Sequence, residues 1–202
     1  MDAMRTARIP MKQRSILQFL ALAAPILLVA CIPSVNPLYT ADTIVFRPEL
    51  VGVWKEKPES EDSWNFTKSG ENAYTVVIQD KESSSTFAGH LVKLGETLYL
   101  DLFPTEDVLE KAKVGGMYRV ALIPGHLFAK VKLGKSLEIQ MLNPDGFKEF
   151  ISAEPKAIAH AVPEPDRFVI TAPTDELQKF FKKHAETRSL WGDPGVLQKV
   201  QL

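Results

Sequence analysis

From position 127 to position 141 apolar and polar side chains alternate, and a period of two residues admits only half-buried β-strands. Leu127, Ala129, Val131 and Leu133 share one face while Lys130 and Lys132 take the other. After the Gly134-Lys135 turn, Leu137, Ile139 and Met141 alternate with Glu138 and Gln140. The same period marks 50–54, 64–67, 73–79, 86–94 and 96–103, the last with Leu98, Leu100 and Leu102 on one face. Lys68-Ser69-Gly70, the polar stretch 80–85 and Gly95 read as turns, and connections this short make antiparallel neighbours. Strand character is also expected over 117–123, bending at Pro124-Gly125, after a loop or short helix over 108–116. One apolar and one wet face per strand suits a sheet curled around a core.

The last third changes period. Asn143 is placed to cap a helix with Pro144 at its first position, and Phe147, Phe150 and Ile151 follow at i, i+3 and i+4. A link through Pro155, Pro163 and Pro165 leads to a strand over 167–171. Thr174 then caps a second helix, with Asp175 and Glu176 at its positive end, Lys182, Lys183 and His184 near its negative end, and Leu177, Phe180, Phe181 and Ala185 as its buried stripe. The expected fold is mainly β: a closed antiparallel barrel or a strongly curved sheet over 47–186, with helices outside it or over one mouth, and a C-terminal tail over 187–202.

Ahead of the domain, Lys12 and Arg14 precede an apolar run from Ile16 to Val29 that only Gln18 interrupts, and the run ends in small residues before the sole cysteine, Cys31. Roughly 14 apolar residues fall short of the ~20 that a helix needs to cross a bilayer, and Pro25 weakens the helix further. The layout is that of a cleaved secretory signal over 1–30, with Met1, Met4 or Met11 as its start, Met11 giving the most compact version. Leu28-Val29-Ala30-Cys31 resembles the lipobox of bacterial lipoproteins. That resemblance implies diacylglycerol on the Cys31 thiol, cleavage before it, and an N-linked acyl chain such as palmitate on the new terminus. One acyl chain holds a protein reversibly and two or three hold it durably. The expected location is therefore the cell envelope, facing the periplasm, and Ile32 in place of an aspartate after the cysteine favours the outer membrane. Residues 31–46, with Pro33 and Pro37 and no sustained period, read as the lipidated N-terminus and a tether.

Gly52-Val53-Trp54 resembles the Gly-x-Trp that opens a lipocalin-type barrel, where the indole closes one end. A late helix within 167–185 fits the same plan, but no Thr-Asp-Tyr turn is found, and no later arginine is placed to cover the tryptophan. The stretches from His126-Leu127-Phe128-Ala129-Lys130 through Thr171-Ala172-Pro173-Thr174 and on to Glu186 are also similar to uncharacterised bacterial lipoproteins. The lipocalin resemblance implies a binding module, with Trp54, Trp64, Phe66 and Tyr74 as candidate ligand-lining residues. Small eight-stranded barrels are either filled by side chains or hold one small ligand, and both outcomes are open at this point.

Residues 31–202 carry 20 of the chain's 24 basic and 24 of its 25 acidic side chains, since only Asp2, Arg5, Arg8, Lys12 and Arg14 precede them. That acidic balance, with no basic run interleaved with aromatics, argues against nucleic acid as a partner. With Cys31 acylated, no second cysteine remains for a disulfide. His90, His126, His160 and His184 show no metal-ligand spacing. Ser83-Ser84-Ser85 lacks a nucleophile elbow. Glu106, Asp107 and Glu110 read as a solvated face, Gly115-Gly116 as turn chemistry, and Asn65-Phe66-Thr67 as a coincidental sequon. No catalytic residue, metal or further cofactor is expected. The function expected is a non-catalytic, membrane-anchored module binding an apolar small molecule or an envelope partner, with an envelope-turnover enzyme of scattered site as the alternative.

Overall fold

A computed structural model describes residues 31–105, 115, 117 and 121–200, so the expected signal segment 1–30 and most of 106–120 lie outside the described residues. The fold is mainly β, built on a closed eight-stranded antiparallel barrel. Its first seven strands follow one another around the ring: β1 (Gly52–Lys55), β2 (Ser63–Ser69), β3 (Ala73–Gln79), β4 (Ser84–Leu94), β5 (Thr97–Pro104), β6 (Leu127–Leu133) and β7 (Ser136–Met141). Each alternates as its sequence requires, so Leu98, Leu100 and Leu102 of β5 and Leu127, Ala129, Val131 and Leu133 of β6 all join the interior cluster.

The eighth stave comes from the segment expected to be a tail. Gly195–Lys199 forms β10, which pairs antiparallel with β7 (Leu197 opposite Leu137) and with β1 (Lys199 opposite Trp54) and closes the ring. In Gly195-Val196-Leu197-Gln198-Lys199 only Leu197 is packed against the interior cluster, too little apolar signal for alternation to announce a strand. The barrel domain therefore runs beyond 186.

Between β7 and β10 lie α1 (Pro144–Ala153), a hairpin of β8 (His160–Glu164) and β9 (Arg167–Ile170), and α2 (Thr174–Lys183). Asn143 caps α1 as expected, its Oδ1 accepting from the N–H groups of Asp145 and Gly146. Leu177, Phe180, Phe181 and Ala185 are buried, and α2 docks on the outside of the barrel: Phe181 meets Phe128 edge to face at 5.4 Å, and the Tyr99 hydroxyl donates to the Phe181 carbonyl at 2.9 Å. Three expectations change locally. Thr174 is the first helical residue rather than the cap, because its hydroxyl donates to the Pro37 carbonyl. The Pro-rich link holds β8, an edge strand where Pro163 is tolerated. Within 117–123, of which 118–120 lie outside the described residues, Met117 and Ala121 are helical rather than extended.

The stretch expected as a tether is instead a strap built into the domain. Ile32 is buried, Leu38 wholly so, and Ser34 forms a bridge to His126 on one side and to Ile170 on the other. Further along, Ile44 bridges Val92 of β4, and 48–50 form a short 3-10 turn that puts Leu50 into the barrel's interior cluster. Hydrogen bonds to backbone, rather than side-chain period, make this segment ordered structure. Two cores result, one inside the barrel and one between the outer faces of β4–β6, the strap and the helices.

Candidate functional site

The barrel interior comes first, because all four candidate ligand-lining residues sit in or against its core. Trp54, Phe66 and Tyr74 are each at most 2% exposed. Their polar handles are engaged within the chain: Trp54 Nε1–H donates to the Leu50 carbonyl at 2.8 Å, and the Tyr74 hydroxyl accepts from Arg47 N–H at 2.7 Å while donating to the Arg47 carbonyl at 3.1 Å. Burial raises the Tyr74 pKa above its ordinary value. Trp64 is half-buried and stacks on Phe66 with ring centres 6.1 Å apart. The packing leaves no slack at Gly89 of β4, where a methyl group would stand 2.6 Å from Val76 Cγ2.

The cation over the Trp54 indole, a place to which no later arginine could be assigned from the sequence, is Lys199 of β10. Its Nζ lies 5.4 Å from the Trp54 ring centre and donates to the Glu49 carbonyl at 2.8 Å. Gly52 makes this possible twice over. Its φ of +132° is one that L side chains rarely adopt, and a Cβ there would meet Lys199 Cε at 2.8 Å.

The second constellation, absent from the sequence reading, lies under the strap. Asp101, wholly buried on the outer face of β5, accepts from Leu38 N–H through Oδ2 and faces His126 Nδ1 through Oδ1, both at 2.7 Å. His90 stands directly across from Asp101 on β4, and Tyr39 of the strap stacks on its ring at 4.1 Å. Phe103 covers His126 at 4.5 Å. A carboxylate–imidazole pair can orient a general base or a metal ligand. Here both carboxylate oxygens are engaged, one by the strap, and the hydroxyl of nearby Ser34 donates to the Asn36 carbonyl. Among the described residues no group of three or more His, Cys, Asp or Glu side chains could hold a metal ion. The geometry serves to fasten residues 33–39 to β5 and to the start of β6. A parity argument could have found Asp101, which shares the outward face of β5 with Tyr99 and Phe103. What hid it is that this face reads as wet until the strap covers it.

Burial holds the His90 pKa below its ordinary value; Asp101 pulls it up and His126 pushes it down again. His184, beside Phe150 and Phe180, is shifted the same way by burial and by Lys183. A depressed imidazole pKa means the unfolded chain binds the proton better, so the stability these rings contribute is full above about pH 6.5 and is lost as pH falls through their lowered folded values. Thermal melts from pH 7.5 to 5 are therefore expected to show Tm falling with pH, with a shallower slope in His90→Gln. An unchanged slope would show that His90 stays solvated.

Cys31 itself is exposed, one residue before buried Ile32. His160 joins the outer layer, with its Nδ1 2.9 Å from the Ile158 carbonyl. Of the other sequence features, Asn65 and Thr67 lie in β2 as expected of a strand, and Ser83 closes the β3–β4 turn by hydrogen bonding to Asp80. Glu106, Asp107, Glu110 and Gly116 lie outside the described residues. An open depression of about 500 Å³ lies between the β1–β2 loop and Lys81, lined by Glu56, Glu59, Glu61 and Asp62. Among the described residues no helix is long and apolar enough to cross a membrane. The chain matches no protein-family model, no curated protein and no solved structure.

Proposed function

We propose that this chain is a membrane-anchored envelope lipoprotein, acylated on Cys31, which works without catalysis by presenting the outer surface of a packed barrel to an envelope partner. The observation that carries the reading is the filled interior. A small apolar ligand would have to displace Trp54, Phe66 or Tyr74, which bury apolar area and hold hydrogen bonds to Leu50 and Arg47. The exposed cysteine at the head of an ordered strap supports the anchored part of the proposal, since Leu28-Val29-Ala30-Cys31 supplies the cleavage and lipidation signal. The alternative of an envelope-turnover enzyme finds its best candidate in Asp101 and His126, and their partners in the strap favour a fastening role.

Cys31→Ser is expected to release the protein from membranes or to leave an unprocessed precursor, read by fractionation and mass. A soluble form lacking 1–31 is expected to leave the emission of an apolar fluorescent probe, and its own tryptophan emission, unchanged on mixing. Saturable probe binding that Trp64→Ala weakens would favour the ligand reading. Persistence of Cys31→Ser in the membrane fraction at its mature mass would overturn the anchor.

A further inference from the structure

We propose that the flank of the barrel around the Ser34–His126 bridge is a lipid-contacting face, on which the domain lies against the bilayer; this rests on acylation of Cys31. The leash is short. Ser34 N–H donates to the His126 carbonyl at 2.9 Å, His126 N–H donates to the Ser34 carbonyl at 2.8 Å, and Ile170 N–H donates to the Pro33 carbonyl at 2.8 Å. Ile32 is only 4% exposed. At ~3.3–3.6 Å per extended residue, the first fixed point of the domain stands within about 10 Å of the acylated residue. A domain held that close has to set one face on the headgroups.

The exposed apolar side chains select the face. Among the described residues six large hydrophobics are exposed: Val35, Met117, Leu122, Ile123, Val162 and Val196. Isolated ones are ordinary on any surface. Four of the six gather on the segments that meet at Ser34. Val35 adjoins the bridge on the strap, Leu122 and Ile123 approach it just before His126, and Val162 is on β8, whose hairpin joins the strap through Ile170. Ile123, 80% exposed, is the most prominent of these four.

Charge is compatible with the choice, since the acidic side chains Glu164 and Asp166 beside Val162 are each paired with a cation, Arg167 and Lys148. In the ring order β1 and β2 stand opposite β5 and β6. The β1–β2 loop, where Glu56, Glu59, Glu61 and Asp62 outnumber Lys57, is at the same end of the barrel as the bridge but on the opposite side of the ring, away from anionic headgroups beneath the bridge. The Gly70-Glu71 turn between β2 and β3 lies at the other end of the barrel from the bridge.

The test uses the full acylated protein in vesicles of phosphatidylethanolamine and phosphatidylglycerol carrying shallow nitroxide lipids. Cys31 is the only natural cysteine, so once it is acylated an introduced thiol is the sole labelling site. Environment-sensitive labels at Val35→Cys and Ile123→Cys are compared with labels at Glu59→Cys and Glu71→Cys, after flotation has separated vesicle-bound protein. Interfacial apolar groups sink ~5–10 Å into the headgroup boundary, so emission at 35 and 123 is expected to fall by about half, with little change at 59 and 71. Protein that floats but is quenched equally at all four positions overturns the lipid-contacting face and leaves acylation standing. Protein that neither floats nor carries acyl mass overturns the acylation reading, and this proposal with it.

Discussion

Deleting residues 195–202 is expected to abolish cooperative folding, although these residues read as a tail. Loss of β10 removes both the β10–β7 and β10–β1 ladders, takes Leu197 from the interior, and uncovers Trp54 where Lys199 now lies. Each ladder hydrogen bond contributes a net ~0.5–1.5 kcal/mol, and the deletion also leaves β1 and β7 as open edges. A domain of this size has about 5–15 kcal/mol of stability in all, so the deletion consumes most or all of it. The checks are a thermal melt by circular dichroism and the emission maximum of tryptophan, which should move to the red as Trp54 meets water. A truncated domain melting within a few degrees of the intact one would show that the barrel does not need its eighth strand.

The second large effect is expected from Asp101→Ala. The substitution leaves Leu38 N–H and the His126 ring buried without their acceptor. Each buried hydrogen-bonding group left without its partner costs about 1–3 kcal/mol, so the two together cost about 2–6 kcal/mol. At about 2–4 °C per kcal/mol for a domain of this length, Tm should drop by roughly 4–24 °C. Limited proteolysis adds a readout that general destabilisation does not give. Cleavage within 33–46 should appear well below the melting temperature, while the barrel strands stay protected. His126→Ala on top of Asp101→Ala should cost much less than it does alone, since the two act as one unit. Additive losses would separate the two residues.

The parts of the fold that could be read from the chain are those where side-chain period reports burial directly. β3 and β7 bury alternate residues, Tyr74 and Val76 in one and Leu137 and Ile139 in the other, and α1 carries its own cap and proline, so local chemistry and tertiary packing agree there. The strap is different. Ile32 and Leu38 are buried singly, on either side of Pro33 and Pro37, and what holds the segment is pairing of its backbone with His126, Ile170 and Val92, which no spacing announces. β10 was hidden because a single inward leucine cannot establish a period. Asp101 was hidden for a related reason, because its polar face in β5 becomes an interior only when the strap crosses it. Of the candidate lining residues, Trp54, Phe66 and Tyr74 are buried in the interior cluster, and Trp64 packs against it.

The anchored, packed-barrel account is tested most directly by native mass spectrometry of the protein extracted in detergent from its own membranes. The expected spectrum is a chain beginning at Cys31, heavier by a diacylglyceryl and an N-acyl group, with no small ligand retained after gentle activation. A mass corresponding to the intact N-terminus, or to a mature chain with unmodified Cys31, would contradict the anchor, and a stoichiometric small molecule held by the domain would contradict the filled barrel.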